Sequence, residues 1–320
     1  MQAPQTICAF TVDANGAASP ATAGWPAETG AEGGYTWLHF DVAIPGLADW
    51  LSACLPALTA ATLMQTETRP RCDEHDGGLI LNLRGVNLNP GAVPEDMVSL
   101  RLWVAEGLII TARVRKVWAM DAMRARFEAG HAPGTIGGFL AEVTQALTDR
   151  IERVSLDLEE ETDTLEEAML EGADDAAPQV ASLRQSVIKL RRFVGPQREA
   201  LNRLAGFDHA LIGAQDKAHL RETANRAMRC VEELDAARDR LAAIQDHLDA
   251  QRALAIGRNG YVLSVAAAIF LPLGFLTGLF GVNLAGMPGQ SHPAGFAVLS
   301  LTSVAIGALL FIVFRRLKWL

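Results

Sequence analysis

Hydrophobic spacing divides this chain into parts. Up to about residue 130, apolar and β-branched residues fall in short runs between turn residues, the pattern of strands. Such runs predict strands at 7–12, 37–42, 79–83, 100–104 and 108–114, with Ala105-Glu106-Gly107 as a tight hairpin between the last two. Helical spacing over 47–58 and 117–128 fits between and after them, and Gly85-Val86-Asn87, close to Asn89, Pro90 and Gly91, reads as a loop. From Thr135 onward the period is helical. One amphipathic run covers 144–170 and closes at Gly172 and Asp174-Asp175; a second covers 178–204; a third begins near Ala214 and meets no strong breaker before Gly257 and Gly260. Two apolar runs follow, 261–280 and 294–314, without a single Asp, Glu, His, Lys or Arg. Each has about the twenty residues that a membrane-crossing helix needs. The third helical run is expected to continue straight into the first span, a rod of about 65 residues and on the order of 95 Å.

The expected fold class is therefore α+β: an N-terminal cytosolic α/β domain at 1–130, a helical hairpin at 131–213, the cytosolic part of a long stalk helix at 214–260, and a transmembrane part at 261–320 with a Gly-Val-Asn loop at 281–293. Counting in sevens along the stalk gives two stripes. Leu220, Ala227, Leu234, Leu241 and Leu248 form an apolar packing seam. Five places on, Glu232, Asp239, Asp246, Ala253, Gly260, Ala267, Gly274 and Gly281 form a second column on roughly the opposite face. It is acidic in its cytosolic part and small where it enters the bilayer. Gly274 and Gly278 also make a G-x-x-x-G pair, which allows close helix approach. The same column on several copies of one helix would enclose a narrow passage with an acidic mouth at Asp239 and Asp246. Two spans cannot enclose a pore alone, so conduction requires oligomers.

Charge narrows the choice. The chain carries 37 acids and 28 bases, a net charge of −9, which disfavours a nucleic-acid partner. A mean hydropathy of +0.16 is too low for a many-helix transporter. Cys8, Cys54, Cys72 and Cys230 show no C-x-x-C spacing, and residues 1–10 do not read as a signal peptide. Arg252 and Arg258 precede the first span, Arg315, Arg316 and Lys318 follow the second, and 281–293 holds no Lys or Arg. Both termini are thus expected in the cytoplasm. The stretch 149–175 has twelve acids and two bases, and 178–204 has six bases and one acid. Cross-pairing between these helices is expected to set their register.

No nucleophile elbow or phosphate loop stands in a convincing setting, so an enzyme is not expected. The spans offer a metal no carboxylate, thiol or imidazole, the ligands that a dehydrated Zn²⁺ prefers. Backbone carbonyls, Ser264, Thr277, Asn283 and retained water remain, and such weak multi-site contact suits conduction. Pro272 removes one helical hydrogen bond. Cys72-Asp73-Glu74-His75-Asp76 offers half of a zinc site, weighed against a polar loop, the better reading. His247 reads as a surface histidine. His292 and Met287 border the entrance because the loop is so short, and His292 is a candidate ligand there.

Residues 271–283, Leu-Pro-Leu-Gly-Phe-Leu-Thr-Gly-Leu-Phe-Gly-Val-Asn, followed by Met287-Pro288-Gly289, resemble the CorA superfamily of two-transmembrane Gly-x-Asn metal ion transporters. Valine within the tripeptide and glycine after Met-Pro are similar to its ZntB zinc-transporter branch. The resemblance implies a homopentamer with a funnel-shaped cytosolic part, seated in lipid in the bacterial inner membrane. It implies a selectivity filter at Gly281, Val282 and Asn283, a path lined by Leu263, Ala267, Leu271, Gly274, Thr277 and Gly278, and Asp246 near the cytosolic mouth. It implies a transported divalent cation, Zn²⁺ first and Cd²⁺, Ni²⁺ or Co²⁺ beside it, and no covalent cofactor. The alternatives are a Mg²⁺/Co²⁺ channel of the same superfamily and a membrane-tethered sensor or scaffold that transports nothing.

Overall fold

A computed structural model describes residues 2–25, 33–66, 68–171, 177–282, 288 and 292–317. Contacts divide the chain into two compact units, Met1–Gln245 and Asp246–Leu320.

The first unit is built on seven strands: β1 (Cys8–Val12), β2 (Ala18–Pro20), β3 (Tyr35–Asp41), β4 (Arg71–His75), β5 (Gly78–Gly85), β6 (Val98–Ala105) and β7 (Leu108–Arg113). Their order is β2-β1-β3-β7-β6-β5-β4; β3 and β7 run parallel and every other neighbour is antiparallel. The central strands are buried almost throughout because helices cover both faces. On one face α1 (Leu47–Cys54) and α2 (Ala57–Met64) pack Leu47, Trp50, Leu51 and Leu63 against Leu38, Phe40, Ile80 and Ile110. On the other, α3 (Trp118–Glu128), α4 (Ile136–Leu170), α5 (Ala177–Gly206) and the start of α6 (Ala214–Phe280) bury Phe127, Phe139, Leu201 and Leu220 with Trp37, Leu81 and Leu100.

The five expected strands are all present; β2 and β4 are additions. The stretch 72–76, expected as a polar loop, lies in strand β4 and the turn that follows it. Asp76 and Gly77 both have positive φ, 46° and 70°, and His75 pairs with Gly78. This is the two-residue turn that Asp-Gly favours because its twist matches the strands it joins. The helical run at 47–58 is two helices instead of one. Pro56 forces Leu55 out of the helical region, to φ −119° and ψ 158°. Helix α4 begins at Ile136, where the Thr135 hydroxyl accepts from the Gly138 N–H at 2.9 Å and satisfies one of the free donors of a helix start. A Cβ on Gly137 would stand 2.2 Å from an Asp216 carboxylate oxygen, so a larger residue there would make that side chain move. Gly172 and Asp174-Asp175, the expected stop after 170, lie outside the described residues.

The acidic and basic helices do not pair with each other as expected. Among the described residues no ion pair joins α4 to α5. The acids of α4 turn to α6 instead: Arg226 meets Asp149 at 2.7 Å and also Glu152, and Arg240 holds Asp163 and Glu166. On α5, Arg191 grips Asp235 of α6 with two bonds of 2.9 and 3.0 Å, and Arg203 and Lys189 reach Asp73 and Asp96. The physical reason is spacing: the seam of α6 packs inward, so its flanking arginines lie beside both neighbours. Leu220, Ala227, Leu234, Leu241 and Leu248 are all at most 3% exposed. Helix α5 is further fixed to the sheet by Gln197, whose amide accepts from the Arg84 N–H (2.6 Å) and donates to the Arg84 carbonyl (2.9 Å).

The second unit holds the end of α6 and α7 (Gly295–Arg316). Both helices are long and apolar enough to cross a membrane. As the spacing predicted, α6 is one helix of 67 residues without a break before Phe280.

Candidate functional site

Within the second unit, α6 has two different faces. Val265 is buried, and Ile269, Pro272, Leu273 and Leu276 are partly covered. These positions recur every three to four residues, so they share one side of the helix. Leu273 lies against α7, its Cδ1 at 3.8 Å from where a Cβ on Gly307 would be. Leu263, Ala267, Leu271, Gly274, Thr277 and Gly278 are all exposed. Leu263 and Leu271 are 71% and 76% exposed and belong to a contiguous bare apolar surface, the kind that marks a contact with a partner or a membrane. A Cβ built on Gly274 or Gly278 meets nothing within 4 Å. The glycines are therefore not needed for packing inside one chain.

Polar side chains over 262–280 are few and already engaged. The Thr277 hydroxyl donates to the carbonyls of Leu273 (3.0 Å) and Gly274 (3.2 Å), and Ser264 donates to the Gly260 carbonyl at 2.9 Å. Each hydroxyl keeps acceptor lone pairs for water or a cation. Pro272 has no N–H for the carbonyl one turn before it, so that oxygen lacks its helical donor. The Gly281 N–H closes the helix on the carbonyls of Thr277 (2.9 Å) and Gly278 (3.2 Å), and a Cβ there would sit 2.9 Å from the Thr277 oxygen. Val282 is exposed, while Asn283 and Met287 lie outside the described residues. His292 is exposed, and its Nδ1 accepts from the Ala294 N–H at 3.2 Å just before α7.

In the first unit, Asp239 is exposed and held by Arg238 at 2.9 Å. Asp246 and His247, which open the second unit, are exposed, and His247 meets Gln251 at 2.9 Å. The structure does not bring Cys72 and His75 together. Side chains alternate along a strand, so Cys72 enters the core and His75 leaves from the opposite face toward Asp76, 3.0 Å away. Burial pushes the Cys72 thiol up to about 12 and the Cys8 thiol to about 12, which withholds the thiolate that binds metal. Among the described residues no three His, Cys, Asp or Glu side chains are grouped to hold a metal ion. Sequence reasoning missed the covered side of α6; the i, i+4, i+7 spacing of Val265, Ile269 and Pro272 was the available signal.

Comparison with known proteins bears on the whole chain. The family model described as "CorA-like Mg2+ transporter protein" matches residues 32–316. The zinc transport protein ZntB of Pectobacterium atrosepticum is 35% identical over 286 residues, 89% of this chain and 88% of that one. The divalent cation transporter CmaX of Pseudomonas aeruginosa is 35% identical over 290 residues, 89% of this chain and 87% of that one. A solved structure of full-length CmaX superposes with a TM-score of 0.82 at 31% identity, covering 100% of this chain and 99% of its own. The CorA magnesium transporter of Methanocaldococcus jannaschii shares the fold, with a TM-score of 0.76 at 16% identity over 99% of this chain and all of that one. With a family match along nearly its full length and relatives this similar over most of both sequences, the chain belongs to the CorA-like family and to its ZntB branch.

Proposed function

We propose that copies of this chain assemble into a transmembrane path for divalent metal cations, with Zn²⁺ as the leading cargo and Cd²⁺, Ni²⁺ and Co²⁺ beside it. One observation carries the reading: the side of α6 turned away from α7 is bare in a single chain, and it bears the small residues Ala267, Gly274 and Gly278. A charge-free surface of this kind is covered either by lipid or by further copies of α6. Copies arranged around an axis, five by the family resemblance, would place Leu263, Ala267, Leu271, Gly274, Thr277 and Gly278 along the lumen. The path would end outside at Gly281, Val282 and the Asn283 amide. Both termini would lie in the cytoplasm of a bacterial cell, with Asp239 and Asp246 concentrating cations near the inner mouth.

The chemistry fits a cation that keeps its water. With no carboxylate, thiol or imidazole in either span, a dehydrated Zn²⁺ would find none of its usual ligands. Carbonyl and amide oxygens offer weak contacts to the hydration shell, loose enough for release. The names of the relatives at 35% identity, one for zinc and one for divalent cations, support the same reading. The description of the matching family favours a second cargo, Mg²⁺.

The test is metal entry into proteoliposomes followed with an internal zinc indicator. Zn²⁺ flux that persists under a large excess of Mg²⁺ is the expected result. Flux abolished by Mg²⁺ would transfer the reading to the second cargo. An oligomeric, monodisperse preparation passing none of Zn²⁺, Cd²⁺, Ni²⁺, Co²⁺ or Mg²⁺ would refute transport.

A further inference from the structure

In a chain with nine more acids than bases, one cleft of the first unit reverses the balance. It measures about 960 Å³ and lies where the ends of β5, β6 and β7 meet α5. Among the described residues, Arg69, Arg84, Arg115, Lys189 and Arg192 line it against Glu95 and Asp96. Both carboxylates are engaged: Glu95 accepts from the Ser186 hydroxyl at 2.6 Å, and Asp96 pairs with Lys189 at 3.0 Å. Among the described residues, Arg69, Arg115 and Arg192 have no carboxylate partner.

The floor of the cleft is built and not merely charged. Thr68 and Ser99 line it and are 7% and 8% exposed. The Thr68 hydroxyl is buried without a hydrogen-bond partner. Arg84 pairs in register with Ser99 and is locked in place: its two terminal nitrogens donate to the carbonyls of Met97 (2.7 Å) and Thr68 (2.6 Å), and its guanidinium lies over the Phe193 ring at 4.3 Å. Two residues along β6, on the same side of the sheet, stands Arg101, wholly buried. It donates to the Gln65 and Thr66 carbonyls and, among the described residues, meets no carboxylate and leaves Nη1 without a partner. Burial first, and then the charge of Arg84, lower its pKa to about 10. Buried positive charge without a counter-charge is costly, and an anion in the cleft would relieve it.

We infer that this cleft is a binding site for a small oligoanion of nucleotide size that carries two or more phosphates. Guanidinium forks match phosphate oxygens geometrically, and the Thr68 and Ser99 hydroxyls add donors at the floor. The volume lies within the range of about 300–1,000 Å³ typical of small-molecule sites. Several arginines without carboxylates exceed what one monovalent ion would neutralise. Metal passage is a separate matter, so the site stands independently of the transport reading.

The experiment uses the full chain in lipid nanodiscs, in EDTA and without divalent metal. It is titrated with a fluorescent methylanthraniloyl-ATP and, by calorimetry, with inorganic tripolyphosphate. One saturable site per chain is expected for both probes. Arg115→Gln with Arg192→Gln should weaken each by about tenfold or more, since charge-assisted hydrogen bonds to phosphate are lost. Thr68→Val, nearly the same shape without the hydroxyl, should weaken binding with no loss of thermal stability. Arg184→Gln, on α5 outside the cleft, should change nothing. Equal affinity for the two probes assigns recognition to the phosphate chain, and tighter nucleotide binding adds the base; either supports the site. No saturable binding of either probe, or binding that survives the double substitution, or equal weakening by Arg184→Gln, would overturn it.

Discussion

Replacing Gly274 with leucine separates the folding of one chain from the passage of ions through several. No atom stands within 4 Å of a Cβ at this position, so the side chain enters without displacing anything in its own chain. Glycine in a helix interior is about 1 kcal/mol less favourable than a good helix former. The substitution should therefore leave the thermal midpoint unchanged or raise it. In the proposed assembly every copy would project an isobutyl group into the same ring. A rise of only about 1.4 kcal/mol in the barrier slows passage tenfold, and a water-repelling ring at a narrow point should exceed that. The assay pairs light scattering for the mass of the particle with Zn²⁺ entry into vesicles. We expect intact assembly, unchanged melting and at least a tenfold loss of flux. Intact particles with undiminished flux would show that Gly274 does not border the path. Particles that fall apart would assign the glycine to helix–helix contact, which equally refutes the reasoning.

Two further expectations concern the first unit. His39 is wholly surrounded, and burial, followed by the charge of Arg113, lowers its pKa to about 3. The unfolded chain takes up a proton near the ordinary value of about 6.5 while the folded one resists it, so stability should fall by up to about 1.4 kcal/mol per pH unit between those two values. Denaturant midpoints measured from pH 7 to pH 4 should flatten in His39→Gln; an unchanged slope would assign the loss to other groups. Arg240→Ala removes the contacts to Asp163 and Glu166, but the arginine is 37% exposed, so the cost should be about 1 kcal/mol or less. The difference from the unsubstituted chain should shrink in 1 M salt, where screening acts within about 3 Å; a cost that salt leaves untouched would mean lost packing and not lost charge.

Long periodic segments were legible from residue types alone. The seam from Leu220 to Leu248 has the same small set of residues at the core as the heptad count indicated, because one covered face imposes its period on the sequence. The five expected strands were readable for a similar reason: the cores of the central ones, such as Leu79-Ile80-Leu81, are apolar runs covered on both sides. Strand β4 was not, because at the sheet edge only Cys72 faces the core and the other four residues are polar; the Asp-Gly turn after it was the better clue. Ion pairing was misassigned because opposite net charges on neighbouring helices say nothing about angle around the axis, and Arg226 and Arg240 of the third helix stood closer to the acids. The basic cleft escaped notice because its cations are scattered from Arg69 to Arg192 and only the sheet and α5 gather them. Of the candidate path, the small-residue column was readable; the side of α6 that meets α7 was signalled only by the spacing of Val265, Ile269 and Pro272, which many apolar neighbours blur.

The early turns of α6 also serve as a roof for the sheet. Leu220, Ala224 and Ala227 sit in one core with Trp37, Leu100 and Phe139, so the N-terminal domain is finished by residues that come about two hundred positions after its first strands. A polypeptide released before Ala214 would leave that oily patch open to solvent and invite aggregation. During synthesis the same holds in time: the globular part can settle only when the stem that carries it has begun to emerge.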